Sequence, residues 1–325
     1  MNVMITGATG FIGGYLAKYC LESGCSVLGM GVQEPQATWP GSGTHFESCD
    51  IRNSSRVLKL ISDFRPDVIF HLAAQSYPTV SLVQPFETMD INAGGTITLY
   101  ECLRTSGVSA TVVVACSSAE YGTVAANDLP VKETHALQPL HPYGVSKVAQ
   151  DLLAAQYFAN YGIPSIRIRI FNTTGPGKMG DVCSDFTKRA VEIELGMRKP
   201  SMQVGNLTKR RAIADVRDLV RGLWLSAECG VPGDVYNVGS NQIYEIRELV
   251  DIIRTELKVA FTLEEDSALL RQCDEPVIAG DVTKFQLCSG WKPEIPLRET
   301  VKDMLDWWRI HYETTAQPVE VKSFQ

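Results

Sequence analysis

The stretch Met1-Asn-Val-Met-Ile-Thr-Gly-Ala-Thr-Gly-Phe-Ile-Gly-Gly14 decides the fold of this 325-residue chain. Within it, a short apolar run is followed by glycines at every third position, Gly7, Gly10 and Gly13. The next seven residues have the apolar spacing of a helix. A strand, a tight glycine turn and a helix in this order predict a dinucleotide site, because the turn lets backbone approach a ligand and the helix N-terminus attracts a pyrophosphate.

The bulk composition is that of a globular enzyme with an acidic balance. Hydrophobic residues make up 45% of the chain and charged residues 21%, with a formal net charge of -7. This net charge gives no overall basic footprint, so we expect no nucleic acid and no anionic membrane as partner. No apolar run approaches the roughly 20 residues of a membrane span. Because Met1 runs straight into the first strand, we expect no signal peptide and a soluble, cytoplasmic protein.

The cysteines give no sign of a metal site or a disulfide framework. The nine are scattered, without a C-x-x-C pair or a cluster of histidines. Their odd number favours reduced thiols in the cytosol. We therefore predict no metal.

Apolar segments and helical patterns alternate along the first half of the chain. The predicted strands after the first are 25–30, 44–49, 67–72, 110–115 and 164–170, and the predicted helices after the first are 53–64, 87–104 and 143–161. This alternation predicts an α/β fold, a Rossmann-type doubly wound parallel sheet. This alternation ends after Phe171, and a further helix is predicted over 244–257. We expect a dinucleotide-binding domain over 1–171 and mainly a smaller mixed α/β substrate-binding lobe over 172–325, with some segments returning to the first domain.

The ends of the predicted strands supply the other cofactor contacts. After the second strand the chain continues Gly31-Val-Gln-Glu34, which has neither the acid typical of NAD sites nor the arginine typical of NADP sites, so the choice between NAD and NADP stays open. We expect the cofactor to contact Gly7, Thr9, Gly10, Phe11, Ile12, Gly13, Asp50, Ile51, Leu72, Ala73 and Ala74, together with Tyr143 and Lys147.

Ser117, Tyr143 and Lys147 are the predicted catalytic residues. Tyr143 and Lys147 lie four apart on one predicted helix, so their side chains share a face. A neighbouring ammonium lowers the pKa of a phenol, which then exchanges a proton with an alcohol or ketone. Ser117 follows a parallel strand and would hydrogen-bond the same oxygen. A Tyr-x-x-x-Lys pair alone is common by chance, but its position behind a glycine turn and Ser117 favours catalysis.

Four motifs resemble the extended short-chain dehydrogenase/reductase family, which acts on nucleotide sugars. They are Gly7-Ala-Thr-Gly-Phe-Ile-Gly13, Leu72-Ala-Ala-Gln-Ser76, Ser117-Ser-Ala-Glu-Tyr-Gly122 and Pro142-Tyr-Gly-Val-Ser-Lys147. The second lobe is most similar to the GDP-4-keto-6-deoxy-D-mannose reductase and GDP-mannose 4,6-dehydratase branches, through residues 204–207, 211–218, 271–276 and 290–293. The resemblance implies a GDP-linked sugar as substrate and a homodimer formed by the two long helices, 87–104 and 143–161.

The resemblance also implies the substrate contacts. Asn172, Lys188 and Arg211 would face the diphosphate, and Val204, Asn206, Arg271 and Asp274 the base and ribose. Gln75 and Ser118 would contact the sugar side of the site. Guanidinium groups are suited to phosphate recognition. The basic cluster at 188 and 209–211 would therefore let a protein of negative net charge bind a dianionic nucleotide sugar. The alternative is that this cluster is a solvated basic face.

The resemblance implies a reductase that transfers hydride from NAD(P)H to the C4 ketone of a GDP-4-keto-6-deoxyhexose. In the dehydratase relatives an acid needed for water elimination stands at the position of Ala119, so this residue disfavours dehydration. Two alternatives remain open. One is a C4 epimerase or 4,6-dehydratase with the same three catalytic residues, and the other is a non-catalytic, cofactor-sensing protein, which would need the glycine turn but not those residues.

Overall fold

A seven-stranded parallel sheet forms the centre of the fold. The computed structural model describes residues 1–34, 44–240, 242–266, 269 and 277–316. The strands are β1 (Asn2–Thr6), β2 (Ser26–Gly31), β3 (Thr44–Ser48), β4 (Val68–His71), β5 (Thr111–Ser117), β6 (Ser165–Ile170), β7 (Thr173–Thr174), β8 (Ser201–Val204), β9 (Arg210–Ala212), β10 (Ala214–Asp215), β11 (Val235–Val238), β12 (Ile243–Glu245) and β13 (Thr262–Glu265). The large sheet has the order β11-β6-β5-β4-β1-β2-β3. Its order reverses between β1 and β4, which places a ligand crevice at their carboxyl ends.

Helices cover both faces of this sheet. They are α1 (Phe11–Glu22), α2 (Ser54–Phe64), α3 (Pro78–Val83), α4 (Pro85–Met89), α5 (Gly95–Ser106), α6 (Pro142–Tyr161), α7 (Val182–Glu194), α8 (Val216–Cys229), α9 (Ile246–Glu256), α10 (Thr283–Ser289) and α11 (Leu297–Ala316). One core lies between the sheet and α1, α8 and α10, and a second lies between the sheet and α2, α5 and α6. Phe70 of β4 packs in the first and its neighbour Ile69 in the second, because successive strand residues face opposite sides. The predicted doubly wound Rossmann-type fold is confirmed.

The carboxyl-terminal half adds a third core, formed by α7, α9 and α11 with β8 and β13. Among the residues that the structure describes, three two-stranded sheets accompany it: β10 with β7, β12 with β9, and β13 with β8. β11 instead pairs with β6 in the large sheet. The domain division at residue 171 stays a prediction. None of the helices in the described residues has the length and apolar character needed to cross a bilayer.

Two predicted helices differ from the structure. The segment predicted as one helix over 87–104 is α4, a π-helical turn over Asp90–Gly94 and α5. The turn carries Asn92, whose side chain accepts a hydrogen bond from the Gln75 N–H at 2.8 Å and donates to the Gln75 carbonyl at 3.0 Å. The helix predicted from 244 begins at Ile246, because residues 243–245 pair with β9.

Candidate active site

The glycine turn lies tightly against the end of β4. Gly7 has φ 70°, and a Cβ there would lie 2.8 Å from the backbone nitrogen of Ala73. A Cβ on Gly13 would lie 2.3 Å from the Gly7 carbonyl oxygen. Any side chain at these two positions would therefore displace backbone. Because α1 begins at Phe11, its first N–H groups and the positive end of its dipole lie at this turn, which fits a bound pyrophosphate.

A cleft of about 2040 Å³ opens beside the turn at the carboxyl ends of the strands. All of the predicted cofactor contacts line it: Gly7, Thr9, Gly10, Phe11, Ile12, Gly13, Asp50, Ile51, Leu72, Ala73, Ala74, Tyr143 and Lys147. The predicted catalytic Ser117 lines it as well. The structure thus brings the three predicted catalytic residues into the same cleft as the glycine turn.

Ser117 is the last residue of β5 and caps the short turn that follows. Its hydroxyl oxygen accepts a hydrogen bond from the Ala119 N–H at 3.2 Å. Its own N–H donates to a carboxylate oxygen of Glu120 at 2.7 Å. These two bonds fix the backbone and the side chain of Ser117 at the edge of the cleft.

Tyr143 and Lys147 project from the first two turns of α6. Pro142 occupies the first turn, and the Nδ1 atom of His141 accepts a hydrogen bond from the Gly144 N–H at 3.1 Å, which caps the helix. Lys147 is 4% exposed and its Nζ donates to the Ala115 carbonyl at 2.8 Å. The same Nζ lies 5.8 Å from the centre of the Tyr143 ring. Lys147 is therefore held between β5 and the phenol.

The environment of these groups changes their proton affinities. Burial raises the pKa of Tyr143 to about 12, although hydrogen bonding with the Ser117 side chain acts in the opposite direction. Burial also lowers the pKa of Lys147. The phenol thus keeps its proton near neutral pH and can donate it to a substrate oxygen. A cationic nicotinamide would favour the phenolate and so bring the pKa of Tyr143 down.

The predicted substrate contacts divide into three groups. Gln75, Ser118 and Asn172 line the cleft. Lys188, Val204, Asn206 and Arg211 do not line the cleft that the described residues form. Arg271 and Asp274 lie outside the described residues. The roles of all nine residues stay predictions.

The four residues away from the cleft have contacts within their own half of the chain. Lys188 is on α7, with its Nζ 3.9 Å from a carboxylate oxygen of Glu192 and 5.6 Å from the centre of the Trp308 ring. Arg211, on β9, donates to the Arg210 carbonyl at 2.9 Å. Val204 is buried at the end of β8. The side chain of Asn206 accepts a hydrogen bond from the Thr208 N–H.

Several residues that line the cleft were missed by the sequence analysis. Lys178 follows the Gly175-Pro-Gly177 turn, and its Nζ lies 5.1 Å from the centre of the Phe11 ring. Trp307 and His311 of α11 are stacked with ring centres 5.0 Å apart. The turn and the tryptophan were visible in the sequence, but nothing near them indicated that α11 would reach the cleft.

Arg52 was also missed, although it directly follows the predicted Asp50–Ile51 pair. Its guanidinium donates to the Asp50 carboxylate at 2.6 Å and to the Asp90 carboxylate at 2.9 Å. It lines the cleft beside Ile51. The carboxylates of Asp50 and Asp90 thus offset the positive charge of Arg52 at the cleft.

The turn after Ser117 presents no carboxylate to the cleft. Ser118 and Ala119 line it, whereas Glu120 is fully buried and is not part of the lining. Among the described residues, the acids that line it are Glu22, Asp50 and Glu87, which come from other elements. This turn therefore supplies hydroxyl groups and no acid.

Comparison with known proteins shows the family of the chain. A family model described as GDP-mannose 4,6 dehydratase matches residues 4–304. The GDP-6-deoxy-D-mannose reductase of Pseudomonas aeruginosa is 28% identical, covering 94% of this chain and 97% of the relative. The GDP-mannose 4,6-dehydratase of Yersinia enterocolitica is 27% identical, covering 94% and 92%. The solved structure of RMD from Pseudomonas aeruginosa complexed with NADPH superposes with a TM-score of 0.82 at 26% identity, covering 95% and 99%.

Proposed function

The chain belongs to the GDP-mannose 4,6 dehydratase family, and from this premise we propose that it is a nucleotide-sugar reductase. It is an NAD(P)-dependent enzyme of the extended short-chain dehydrogenase/reductase type. Its proposed reaction is transfer of hydride from NAD(P)H to the C4 ketone of a GDP-4-keto-6-deoxyhexose. One observation carries this proposal: Ser117, Tyr143 and Lys147 line the same cleft as the glycine turn. The turn that follows Ser117 exposes no acid to this cleft.

The three side chains have distinct roles in the proposed reaction. The cofactor supplies the hydride. Tyr143 donates its phenolic proton to the oxygen of the C4 carbonyl, so that the ketone becomes an alcohol. Ser117 hydrogen-bonds the same oxygen and polarises the carbonyl. Lys147, fixed on the Ala115 carbonyl, places a positive charge near the phenolate that remains after the proton has left.

The proposed cofactor and substrate contacts follow from the lining of the cleft. The glycine turn and the first N–H groups of α1 would hold the pyrophosphate of NAD or NADP. In this proposal Asp50 and Ile51 would contact the adenine, Gln75 and Ser118 the sugar, and Asn172 the diphosphate of the substrate; all five line the cleft. A reductase relative and the NADPH complex of RMD support an NAD(P) cofactor and a GDP-linked sugar as the ligands of this cleft.

A second candidate function is a C4 epimerase or a 4,6-dehydratase. The same three catalytic residues serve an epimerase, and several relatives are GDP-mannose 4,6-dehydratases. Elimination of water requires an acid beside the substrate, and the turn after Ser117 offers Ala119 there while Glu120 is buried. Of these two alternatives, the dehydratase is therefore less well supported than the epimerase. A cofactor-sensing protein without catalysis would have no need of a buried, hydrogen-bonded Lys147.

One experiment separates these functions. The purified protein is incubated with NADH or NADPH and a GDP-4-keto-6-deoxyhexose, and the absorbance of the reduced nicotinamide is followed. A reductase consumes one cofactor for each sugar reduced, whereas an epimerase or dehydratase regenerates its cofactor and causes no net loss. No loss of absorbance with either cofactor would contradict the proposal. In parallel, GDP should raise the melting temperature more than UDP, CDP or TDP, because a ligand of the folded state stabilises it.

We propose in addition that the chain forms a homodimer in the cytoplasm. Large apolar side chains are exposed along α4, α5 and α6, where Phe86 is 90%, Leu152 56% and Ile97 42% exposed. Exposed apolar residues gathered on neighbouring helices are typical of interaction surfaces. A monomer mass by light scattering at micromolar concentration would contradict the dimer.

A further inference from the structure

Glu120 is a buried acid that the proposed reaction does not use. Its side chain is fully buried behind Ser117. One carboxylate oxygen accepts the Ser117 N–H at 2.7 Å. The other lies 3.3 Å from the Nε of Arg169, but it has no well-aligned hydrogen bond within the described part of the chain. Buried polar atoms without a partner are rare and usually have a reason.

Charged and titratable groups face this carboxyl group from three elements. They are Cys116 on β5, Tyr143, Lys147 and Asp151 on α6, and Arg169 on β6. Ligand atoms of Cys116, Glu120 and Asp151 lie within 4.8 Å of one another, a spacing that a metal ion would accept. The Arg169 guanidinium already serves as the cation there, since its Nε is 2.9 Å from the Asp151 carboxylate.

We infer, on the basis of the proposed function, that Glu120 is a positioning residue for the Ser117–Tyr143 pair. Its carboxyl group fixes the backbone of Ser117, and the charge on that carboxyl group controls proton transfer at Tyr143. The first part follows from the 2.7 Å bond to the Ser117 N–H. The second follows from burial, because a charge in a poorly solvated interior acts on its neighbours with little screening.

The direction of the effect follows from the environment of each group. Burial and the nearby Asp151 carboxylate raise the pKa of Glu120 to about 8, while Arg169 opposes them. Glu120 therefore changes charge between pH 7 and 9. Ionised Glu120 raises the pKa of Tyr143. Above pH 8, Tyr143 is then a weaker acid, and reduction of the ketone slows.

The Glu120→Gln variant tests this inference. The amide oxygen can still accept the Ser117 N–H, but the side chain carries no charge at any pH. For the wild type we expect kcat of NAD(P)H-dependent reduction to fall about threefold from pH 7 to 9. One charge shifts a neighbouring pKa by about one unit, and the rate of proton transfer changes by only part of that tenfold factor. In Glu120→Gln this fall is absent. Superimposable pH profiles of the two proteins would overturn the inference.

The matched control is Asp218→Asn. Asp218 is also buried, accepts the N–H groups of Glu294 and Ile295, and pairs with Arg221, but it does not line the cleft. This variant should keep the wild-type pH profile, which shows that loss of a buried charge does not by itself remove the transition near pH 8. A flattened profile in this control as well would overturn the assignment to Glu120.

A measurement of protein stability tests the titration of Glu120 and does not depend on catalytic activity. From its ordinary value of 4.5 up to about 8, folded Glu120 keeps a proton that the unfolded chain has lost. Its contribution to stability therefore falls as the pH rises through this interval. The melting temperature of Glu120→Gln minus that of the wild type should increase by roughly 2–4 °C from pH 5.5 to 8.5. A constant difference would overturn the inference, whereas an inactive wild type would contradict only the reductase proposal.

Discussion

The two walls of the cleft hold their charged groups in different ways. The sheet wall consists of the glycine turn, the ends of β4 and β5, and the start of α6. There, Lys147 is 4% exposed and its Nζ is bound to a backbone carbonyl. The lobe wall comes from the region after β6 and from α11. Close behind it, the side chain of Lys188 is 41% exposed and its Nζ lies 3.9 Å from Glu192.

This difference indicates that the sheet wall serves catalysis and that the lobe wall serves ligand binding. The sheet wall has its hydroxyl and ammonium groups already fixed by backbone, so little reorganisation is needed when charge develops on a substrate oxygen. A long exposed side chain loses rotamer freedom when it is ordered on a ligand, which reduces the net gain in affinity. We therefore expect substitutions in the sheet wall to have large effects on turnover, and those in the lobe wall to have small effects on affinity.

The largest effect is expected for Tyr143→Phe. The variant keeps the ring but loses the phenolic proton, so kcat of NAD(P)H-dependent reduction should fall about a thousandfold, within the usual range for a general acid. Tyr161→Phe, at the exposed end of the same helix, is the control and should keep wild-type activity. Steady-state assays at saturating cofactor measure both. A fall of less than about tenfold in Tyr143→Phe would show that proton donation lies elsewhere.

A smaller effect, on cofactor binding, is expected for Gly13→Ala. The added Cβ would lie 2.3 Å from the Gly7 carbonyl oxygen, so the turn must shift away from its ligand geometry. The cofactor at 100 times its Kd should stabilise the wild type by about 2.7 kcal/mol and the variant by less than half of that. The measurement is the melting temperature with and without NAD or NADP.

Gly14→Ala is the matched control for the turn. A Cβ on Gly14 would have no neighbour within 4 Å among the described residues, and the residue lies inside α1. Alanine there should raise the stability of the apo protein by about 0.5–1 kcal/mol, because it restricts the unfolded chain and favours a helix. Equal loss of cofactor stabilisation in both variants would contradict the role of the tight Gly13 packing.

The sheet wall was predictable from the sequence because its signals are local. Gly7 to Gly13, the strand ends at Ser117 and Leu72, and the four-residue spacing of Tyr143 and Lys147 each depend on a few neighbouring residues. Parallel strands bring such strand ends to one edge of the sheet, so the predicted residues meet without further information. The π-helical turn at 90–94 is the exception, since it depends on the contact of Asn92 with Gln75.

The lobe wall was not predictable in the same way because its contacts are distant along the chain. Lys188 lies over Trp308, 120 residues further on, as α7 packs against α11. β8 pairs with β13 across about half that separation, Ser201 with Thr262. No periodicity in the sequence specifies how these elements dock. The family resemblance supplied Lys188, Val204, Asn206 and Arg211 for this half of the chain, and none of the four lines the cleft that the described residues form.

The smallest expected effect compares Lys178→Ala with Lys188→Ala. Lys178 lines the cleft beside the glycine turn, with its Nζ 5.1 Å from the centre of the Phe11 ring. Its loss should weaken binding of a phosphate-bearing ligand about tenfold, as expected for one charged contact. Lys188→Ala should change affinity less than about twofold, because its ammonium faces Glu192 and Trp308 instead.

Calorimetric titration with the cofactor and with GDP, done separately, shows which ligand each lysine serves. A loss confined to the cofactor in Lys178→Ala would assign this lysine to the pyrophosphate side of the cleft. A larger loss of GDP affinity in Lys188→Ala than in Lys178→Ala would reverse the expected order. Because the Lys188 side chain does not reach the cleft lining in this structure, that result would require α7 and the lobe wall to move toward the sheet wall when the nucleotide binds.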